Sequence, residues 1–268
     1  MSDARWMRLA LSLGKRGMGR TGPNPAVGCV LVRNGRVVGR GRTADGGRPH
    51  AEVAALAQAG EAARGATAYV TLEPCNHHGK TGPCAEALIA AGVARVVIAA
   101  RDPNPVAEGG VERLRAAGVV VETGLMEDEA RRDLAGFLSR IERGRPFVTL
   151  KLATSFDGRI ATASGESQWI TGPAARAEVQ RLRAQATRVQ GRIEEIDEAV
   201  FPDLFELCHL SKQLSGHPIH HQNAGMVIGN GGNRRRHTVQ NRRRKAHHDA
   251  DIIRLRLWRK KRRRISGK

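Results

Sequence analysis

The sequence has no long apolar run, no secretory leader and no dense set of cysteines. None of its apolar stretches approaches the roughly 20 residues that a membrane-spanning helix requires. The first 19 residues interleave basic with apolar side chains, and they offer neither a continuous apolar core nor a small-residue cleavage site. The 4 cysteines are too few and too scattered for a disulfide framework. We therefore expect no membrane association and a cytoplasmic location in a reducing compartment.

Aromatic residues are also scarce, at 3% of the chain, and the clusters of arginine carry almost none. Residues 187–268 hold 19 basic against 8 acidic side chains, whereas residues 1–186 hold 26 against 18. This tail shows no sustained apolar period beyond a short helical stretch at 193–208, and it looks like out-of-frame translation. A basic arm for nucleic acid is the alternative, but Trp258 stands alone where base stacking needs interleaved aromatics. We predict a disordered or out-of-frame tail.

Apolar periodicity and turn signals predict alternating strands and helices before this tail. Asn34-Gly35 is a strong hairpin signal between the first two strands. Strands that alternate with helices indicate a layered α/β domain, and the hairpin makes its sheet mixed. The predicted strands are 26–32, 36–41, 66–72, 94–100 and 119–122, and the predicted helices are 3–18, 50–59, 83–91, 108–117 and 127–142.

Gly144-Arg145-Pro146 looks like a junction between two units. A predicted strand at 147–151 and a predicted helix at 173–185 follow the junction, and they open a second α/β unit. We therefore divide the chain into a domain at 1–145, a second, incomplete unit at 146–186 and the basic tail at 187–268.

Metal-ligating residue types occur in the order His50-Ala51-Glu52, Pro74-Cys75 and Cys84. Zinc favours tetrahedral coordination by imidazole and thiolate, and a catalytic zinc keeps three protein ligands and leaves the fourth position to water. Zinc lowers the pKa of that water towards about 7. Glu52 can then take the water proton and deliver it to a ring nitrogen and a leaving amine. Since His-x-Glu with a later Pro-Cys and a second Cys is the pattern of zinc-dependent base deaminases, we predict hydrolytic deamination of a nucleobase-like amino-pyrimidine.

The loop between the two thiolates is longer than in that pattern, and it holds His77, His78 and Lys80. An insertion between two ligands lies at the mouth of the pocket, where these side chains suit a phosphate or a polar ring substituent of the substrate. Both histidines are equally compatible with plain loop positions. A third alternative makes one of them a fourth ligand of a structural zinc, although such a zinc has no use for the carboxylate of Glu52.

Six stretches of the sequence carry a resemblance to a known family. They are TGPNPAVG at 21–28, GGRPHAE at 46–52, ATAYVTLEPCNHHGKTGPC at 66–84, DPNP at 102–105, KLATSFDGR at 151–159 and GESQWIT at 165–171. Together they resemble the bifunctional riboflavin biosynthesis deaminase/reductase family. The resemblance covers about residues 1–186, and the later motifs of the family's reductase have no counterpart in 187–268. It implies a cytidine-deaminase-like, three-layer α/β/α domain that is followed by an incomplete reductase unit.

The resemblance implies two activities. The first is hydrolytic deamination of 2,5-diamino-6-ribosylamino-4(3H)-pyrimidinone 5′-phosphate to 5-amino-6-(5-phosphoribosylamino)uracil. The second is NADPH-dependent reduction of the ribosyl side chain, which we predict to be lost here, because one strand and one helix cannot enclose a dinucleotide.

The resemblance also implies roles for single residues. His50, Cys75 and Cys84 match the zinc ligands, and Glu52 matches the proton shuttle. Asn24 matches an asparagine that contacts the substrate of the deaminase. In the reductase unit, Ala153 and Trp169 match contacts to the cofactor, and Ser167 and Arg183 match contacts to the substrate.

Two rival functions belong to other classes. A polynucleotide base deaminase, for instance one acting on transfer RNA, suits the net charge of +19, but most of that charge lies in the tail. A zinc-stabilised binding module without enzymatic activity does not explain Glu52. We expect a small pyrimidine ribosyl phosphate as the partner and neither nucleic acid nor membrane. A homo-oligomer is compatible with the sequence.

Overall fold

A five-stranded mixed sheet lies at the centre of the N-terminal unit. The structure is a computed structural model, and it describes residues 2–79, 81–156, 162–164, 169–186, 188–190 and 224–228. The strands are β1 (Gly28–Arg33), β2 (Arg36–Arg42), β3 (Thr67–Leu72), β4 (Arg95–Ala100) and β5 (Val120–Thr123). They lie in the order β2-β1-β3-β4-β5, with β1 antiparallel to β2 and β3, and with parallel pairing from β3 to β5. The predicted mixed sheet is confirmed.

A tight turn at Asn34 and Gly35 joins β1 to β2 where the sequence predicts it. Asn34 has a φ of 51° and Gly35 a φ of 71°. A two-residue turn of this kind needs a positive φ at both positions, and its twist matches that of the flanking strands. The pairing of Arg33 with Arg36 follows directly from this turn.

Helices cover both faces of the sheet and produce the predicted three layers. An added Cβ on Gly28 would lie 1.9 Å from the carbonyl oxygen of Ala10, and one on Gly41 would lie 2.3 Å from that of Ala51. Gly41 pairs with Cys29, the neighbour of Gly28, and successive residues of a strand face opposite sides of the sheet. The helices that contain Ala10 and Ala51 therefore lie on opposite faces. The helices of this unit are α1 (Asp3–Lys15), α2 (Ala51–Ala59), α3 (Cys84–Ala90), α4 (Gly110–Ala116), α5 (Glu127–Asp133) and α6 (Ala135–Arg143).

The inner strands form the core of the sheet, and two of them place the loops that follow them at the same carboxyl end. β1, β3 and β4 are buried along almost their whole length, whereas the edge strands β2 and β5 are largely exposed. Because β3 and β4 are parallel, both strands end on the same side of the sheet, β3 after Leu72 and β4 after Ala100. This side is the carboxyl end of the two strands. Cys75 lies in the first of these two loops and Asp102 in the second.

The segment predicted as one helix at 127–142 consists of two helices. Leu134, with a φ of −97° and a ψ of 7°, separates α5 from α6. Leu134 is buried, and so are Phe137 and Leu138 in α6. The helical spacing of apolar side chains therefore continues across the break at Leu134. For this reason the sequence pattern does not reveal the break between α5 and α6. The other predicted elements of this unit are present with ends that differ by a few residues.

The second unit begins with β6 (Val148–Leu152) and α7 (Pro173–Gln185), close to the predicted positions. Two further strands, β7 (Arg188–Gln190) and β8 (Ala224–Ile228), form with β6 an antiparallel sheet in the order β6-β8-β7. The sequence pattern predicts no strand in residues 187–268, so β7 and β8 differ from that expectation. The predicted helix at 193–208 lies outside the described residues. Among the described helices, none is both long enough and apolar enough to cross a lipid bilayer.

Candidate metal centre and active site

His50, Cys75 and Cys84 converge on one point, with their ligand atoms all within 4.8 Å of one another. The Nδ1 atom of His50 lies 3.7 Å from the sulfur of Cys75 and 3.4 Å from that of Cys84. Usual zinc–nitrogen and zinc–sulfur bond lengths at a tetrahedral angle place nitrogen about 3.6 Å from sulfur. The three side chains therefore fit a zinc ion as ligands.

Each of the three residues comes from a different element. His50 directly precedes α2, and its carbonyl oxygen accepts a hydrogen bond from Ala54 at 3.1 Å. Cys75 lies in the loop after β3, and Cys84 is the first residue of α3. The backbone N–H of Cys84 donates to the sulfur of Cys75 at 3.5 Å. The site therefore depends on how α2 and α3 pack near the carboxyl end of β3.

The surroundings of Cys75 favour its thiolate, which is the form that binds a metal. Its pKa is lowered to about 4, because the Cys84 thiol, the His50 ring and the backbone N–H of Cys84 all bond to its sulfur. The contact with Cys75 raises the pKa of Cys84 in turn. A bound divalent cation stabilises both thiolates at once.

Glu52 is the buried acid of this site. It is the second residue of α2, and its side chain is only 3% exposed. Burial raises its pKa to about 7, and the charge of Cys75 adds to the effect. A carboxylate with such a pKa can both accept and release a proton at neutral pH, which is the requirement for a general acid–base group.

Asn24 and the loop between the thiolates occupy different places around this centre. The side-chain amide of Asn24 donates to the carbonyl oxygen of Gly47 at 2.8 Å, so Asn24 contacts the segment that leads to His50. His77 is partly buried, and its Nδ1 atom has no hydrogen-bond partner among the described residues. His78 is 73% exposed and lies 3.6 Å from Glu86. Lys80 lies outside the described residues. Neither histidine joins the metal-ligating group in the described part of the chain.

Glu73 is a buried acid and Asp102 a half-buried one near the centre, and the sequence motifs assign a role to neither. The side chain of Glu73 is 1% exposed and pairs with Arg101. Burial is the main cause that raises the pKa of Asp102 to about 6, and the charges of Glu73 and Cys75 act in the same direction. Both residues lie in stretches that resemble the family, at 66–84 and 102–105, but an acidic side chain shortly after a buried strand is also a common surface pattern.

The residues assigned to the reductase unit have different surroundings in the described part of this unit. Ala153 is buried, whereas Trp169 is 70% exposed and carries the guanidinium of Arg176 over its ring at 4.4 Å. The charge of Arg183 helps to lower the pKa of Lys151, after burial as the main cause. Ser167 lies outside the described residues.

Two family models match the chain. The model of the cytidine and deoxycytidylate deaminase zinc-binding region matches residues 1–100, and that of the RibD C-terminal domain matches residues 146–192. Riboflavin biosynthesis protein RibD of Escherichia coli (strain K12) is 59% identical over 187 residues, which are 69% of this chain and 51% of that protein. RibD of Haemophilus influenzae is 56% identical over 186 residues, or 69% and 50% of the two chains. Over this stretch the chain is homologous to RibD.

Solved structures of the family agree with this assignment. A diaminohydroxyphosphoribosylaminopyrimidine deaminase/5-amino-6-(5-phosphoribosylamino)uracil reductase from Thermotoga maritima has 44% identity and a TM-score of 0.64, covering 67% of this chain and 52% of that one. RibD of Acinetobacter baumannii has 56% identity and a TM-score of 0.63, covering 69% and 52%. The predicted cytidine-deaminase-like fold is confirmed. The chain spans about half the length of these relatives.

Proposed function

We propose that residues 1–145 form a zinc-dependent deaminase of riboflavin biosynthesis. Its substrate is 2,5-diamino-6-ribosylamino-4(3H)-pyrimidinone 5′-phosphate, and its products are 5-amino-6-(5-phosphoribosylamino)uracil and ammonia. The observation that carries the proposal is the buried Glu52 beside the group formed by His50, Cys75 and Cys84. Homology to RibD supports the choice of substrate.

His50, Cys75 and Cys84 are the residues that would hold the zinc ion. In a site with three protein ligands, zinc makes water a nucleophile at neutral pH. The Nδ1–sulfur distances of 3.4 and 3.7 Å suit this coordination. Bound as thiolates, Cys75 and Cys84 would supply the negative charge that a divalent cation favours.

Glu52 handles the protons of the reaction. Its carboxylate takes a proton from the attacking water and passes it to the ring nitrogen next to the amine-bearing carbon. A second proton then goes by the same carboxylate to the departing amine, which leaves as ammonia while the carbonyl forms. A buried carboxylate with a pKa of about 7 suits both directions of transfer.

The substrate-binding residues are proposals of the same kind. Asn24 is held beside the segment that leads to His50, and the Nδ1 atom of the partly buried His77 has no hydrogen-bond partner among the residues that the structure describes. We propose both as substrate contacts, together with Lys80. We propose His78 only as a substrate contact at the outer rim of the pocket, because its exposed ring lies against Glu86.

The rival functions have less support. A transfer-RNA deaminase is favoured by the net charge of +19, but most of that charge lies in residues 187–268. A zinc-stabilised binding module leaves the buried Glu52 without a purpose. The RibD relatives, which cover 69% of this chain, support a small pyrimidine phosphate instead.

An ammonia-release assay on the full chain tests the proposal. The purified protein, loaded with zinc, is given the diamino-pyrimidine phosphate, and ammonia and the uracil product are measured. We expect turnover that disappears in the Glu52→Gln variant. Release of ammonia from a transfer-RNA anticodon stem but not from the pyrimidine phosphate would favour the polynucleotide deaminase. Zinc binding without activity on either substrate would favour the binding module.

We further propose that residues 146–186 do not complete a reductase in this chain, although Ala153, Ser167, Trp169 and Arg183 match the family's NADPH and substrate contacts. The family model for this domain matches residues 146–192 only. A cytoplasmic location and a homo-oligomeric state also stay proposals.

A further inference from the structure

The carboxylate of Glu73 is buried two residues before Cys75 of the metal centre, with 1% of its side chain exposed. A buried carboxylate is costly unless donors surround it. Its Oε1 atom accepts the backbone N–H of Val111 at 3.0 Å. Its Oε2 atom lies 2.7 Å from Nε of Arg101 and accepts the backbone N–H of Asp102 at 3.4 Å. One side chain thus links the end of β3 to the loop after β4 and to the beginning of α4.

The backbone around Glu73 makes the same connections. Its own N–H donates to Ala100 at 2.9 Å, and the N–H of Asn76 donates to Ala107 at 3.1 Å. An added Cβ on Gly110 would lie 1.8 Å from the carbonyl oxygen of Pro74, so α4 begins in direct backbone contact with this loop. Cys75 stands between these contacts, two residues after Glu73 and one before Asn76.

We propose that Glu73 is a positioning residue for the metal centre, which holds the sulfur of Cys75 in reach of His50 by fastening its loop to Arg101, Asp102 and Val111. The proposal rests on the zinc site of the proposed function. Glu73 contacts neither metal nor substrate. It acts through Cys75, because it fixes the backbone on one side of that residue, while α3 fixes the other side through the hydrogen bond from Ala85 to the carbonyl oxygen of Cys75 at 3.2 Å.

Loss of this carboxylate has a defined consequence for metal binding. Glutamine has the same shape and can still accept from Val111, but it cannot form the ion pair with Arg101. The loop that carries Cys75 is then less constrained. Because metal binding must order this loop, the net free energy of metal binding becomes less favourable. Substitution of residues that orient metal ligands typically costs about 10–100-fold in metal affinity.

The experiment compares zinc affinity and Co²⁺ spectra of the full chain in its wild-type, Glu73→Gln and Asp3→Asn forms. Zinc affinity is measured by competition with a chelator, and the visible bands of bound Co²⁺ report the geometry of the site. Asp3→Asn is the matched control, because it breaks an ion pair with Arg95 at the opposite end of β4, 2.7 Å long in the wild type. Circular dichroism and thermal unfolding of the metal-free proteins measure folding separately.

We expect Glu73→Gln to weaken zinc binding by about 10–100-fold and to alter the Co²⁺ bands, while Asp3→Asn changes only thermal stability. Wild-type affinity and an unchanged spectrum in Glu73→Gln would overturn the inference and leave the zinc site intact. A wild-type chain that binds neither metal would instead overturn the zinc site itself. If Glu73→Gln does not fold, Arg101→Gln serves the same purpose, since Arg101 is 48% exposed and its loss is tolerated more easily. The same weakening is expected there, and unchanged affinity would count against the inference.

Discussion

A Cβ atom on Gly41 would lie 2.3 Å from the carbonyl oxygen of Ala51, so β2 and α2 meet backbone to backbone at this point. Ala51 stands between His50 and Glu52. The same hydrogen-bonded turn of α2 that approaches Gly41 therefore carries one metal ligand and the proposed proton shuttle. The distance between strand and helix sets the position of both side chains.

Gly41→Ala is expected to weaken the site as well as the fold. The added methyl group pushes α2 away from β2, and overpacking of this kind costs about 1–3 kcal/mol of folding stability. We expect a lower melting temperature together with weaker zinc binding. Gly172→Ala is the control, since a Cβ there meets nothing within 4 Å. A Gly41→Ala variant with wild-type melting temperature and zinc affinity would show that α2 adjusts without cost.

Cys75→Ser and Cys84→Ser are each expected to remove zinc and deaminase activity together. A serine hydroxyl at neutral pH replaces a thiolate poorly as a zinc ligand, and only three protein ligands are available. Metal content by atomic absorption and ammonia release are measured on the same samples. Cys29→Ala is the control, because Cys29 is buried in β1 outside the metal-ligating group. Full zinc content in both serine variants would refute the ligand assignment.

Glu52→Gln is expected to keep zinc but to lose most of the deamination rate. Glutamine preserves the shape of the side chain, yet it cannot accept the proton of the attacking water. General acid–base catalysis typically contributes about 10²–10⁴-fold, so kcat should fall by that order. Glu61→Gln, at an exposed position beyond the end of α2, is the matched control. Turnover close to wild type in Glu52→Gln would leave the proton shuttle unassigned.

Local signals in the sequence predict much of this unit. The Asn34-Gly35 turn, the buried strands and the order His50, Cys75, Cys84 all depend on residues close in sequence or on known ligand chemistry. Local signals in the sequence do not predict the supporting role of Glu73, since its partners Arg101 and Val111 lie 28 and 38 positions further along the chain. Only the parallel pairing of β3 with β4 brings them together. The outward direction of His78 likewise depends on Glu86 in α3.

The contact of Asp3 with Arg95 and Tyr69 is expected to make stability depend on pH in the acid range. Arg95 pairs with Asp3 at 2.7 Å, and the Tyr69 hydroxyl donates to it at 2.5 Å. The Arg95 and Tyr69 hydrogen bonds hold the pKa of Asp3 below its usual value. A carboxyl group with a lowered pKa in the folded state stabilises the fold above its unfolded pKa of about 3.9, and this contribution is lost as the pH falls through the folded value.

Denaturant unfolding of the wild type and of Asp3→Asn between pH 7 and pH 3 measures this contribution. The wild type should be the more stable at pH 7, and the difference should shrink below about pH 4. Glu108→Gln, at an exposed loop position, should show no comparable trend. A difference that stays constant down to pH 3 would mean that Asp3 acts by packing and not by charge.

The chain is expected to lack NADPH-dependent reductase activity. A dinucleotide pocket in an α/β sheet is built from several strand ends and helix N-termini. In the described part of the second unit, α7 is the only helix, and both Trp169 and Phe147 leave large aromatic surfaces exposed to solvent. Of the two proposed cofactor contacts, Ala153 is buried and Trp169 lies open to solvent. The deaminated pyrimidine phosphate is supplied with NADPH, and absorbance of the reduced cofactor is followed, with the deaminase/reductase from Thermotoga maritima as the positive control. Steady, protein-dependent oxidation of NADPH that yields the ribityl product would contradict this prediction, because residues 187–268 would then have to supply the rest of the cofactor site.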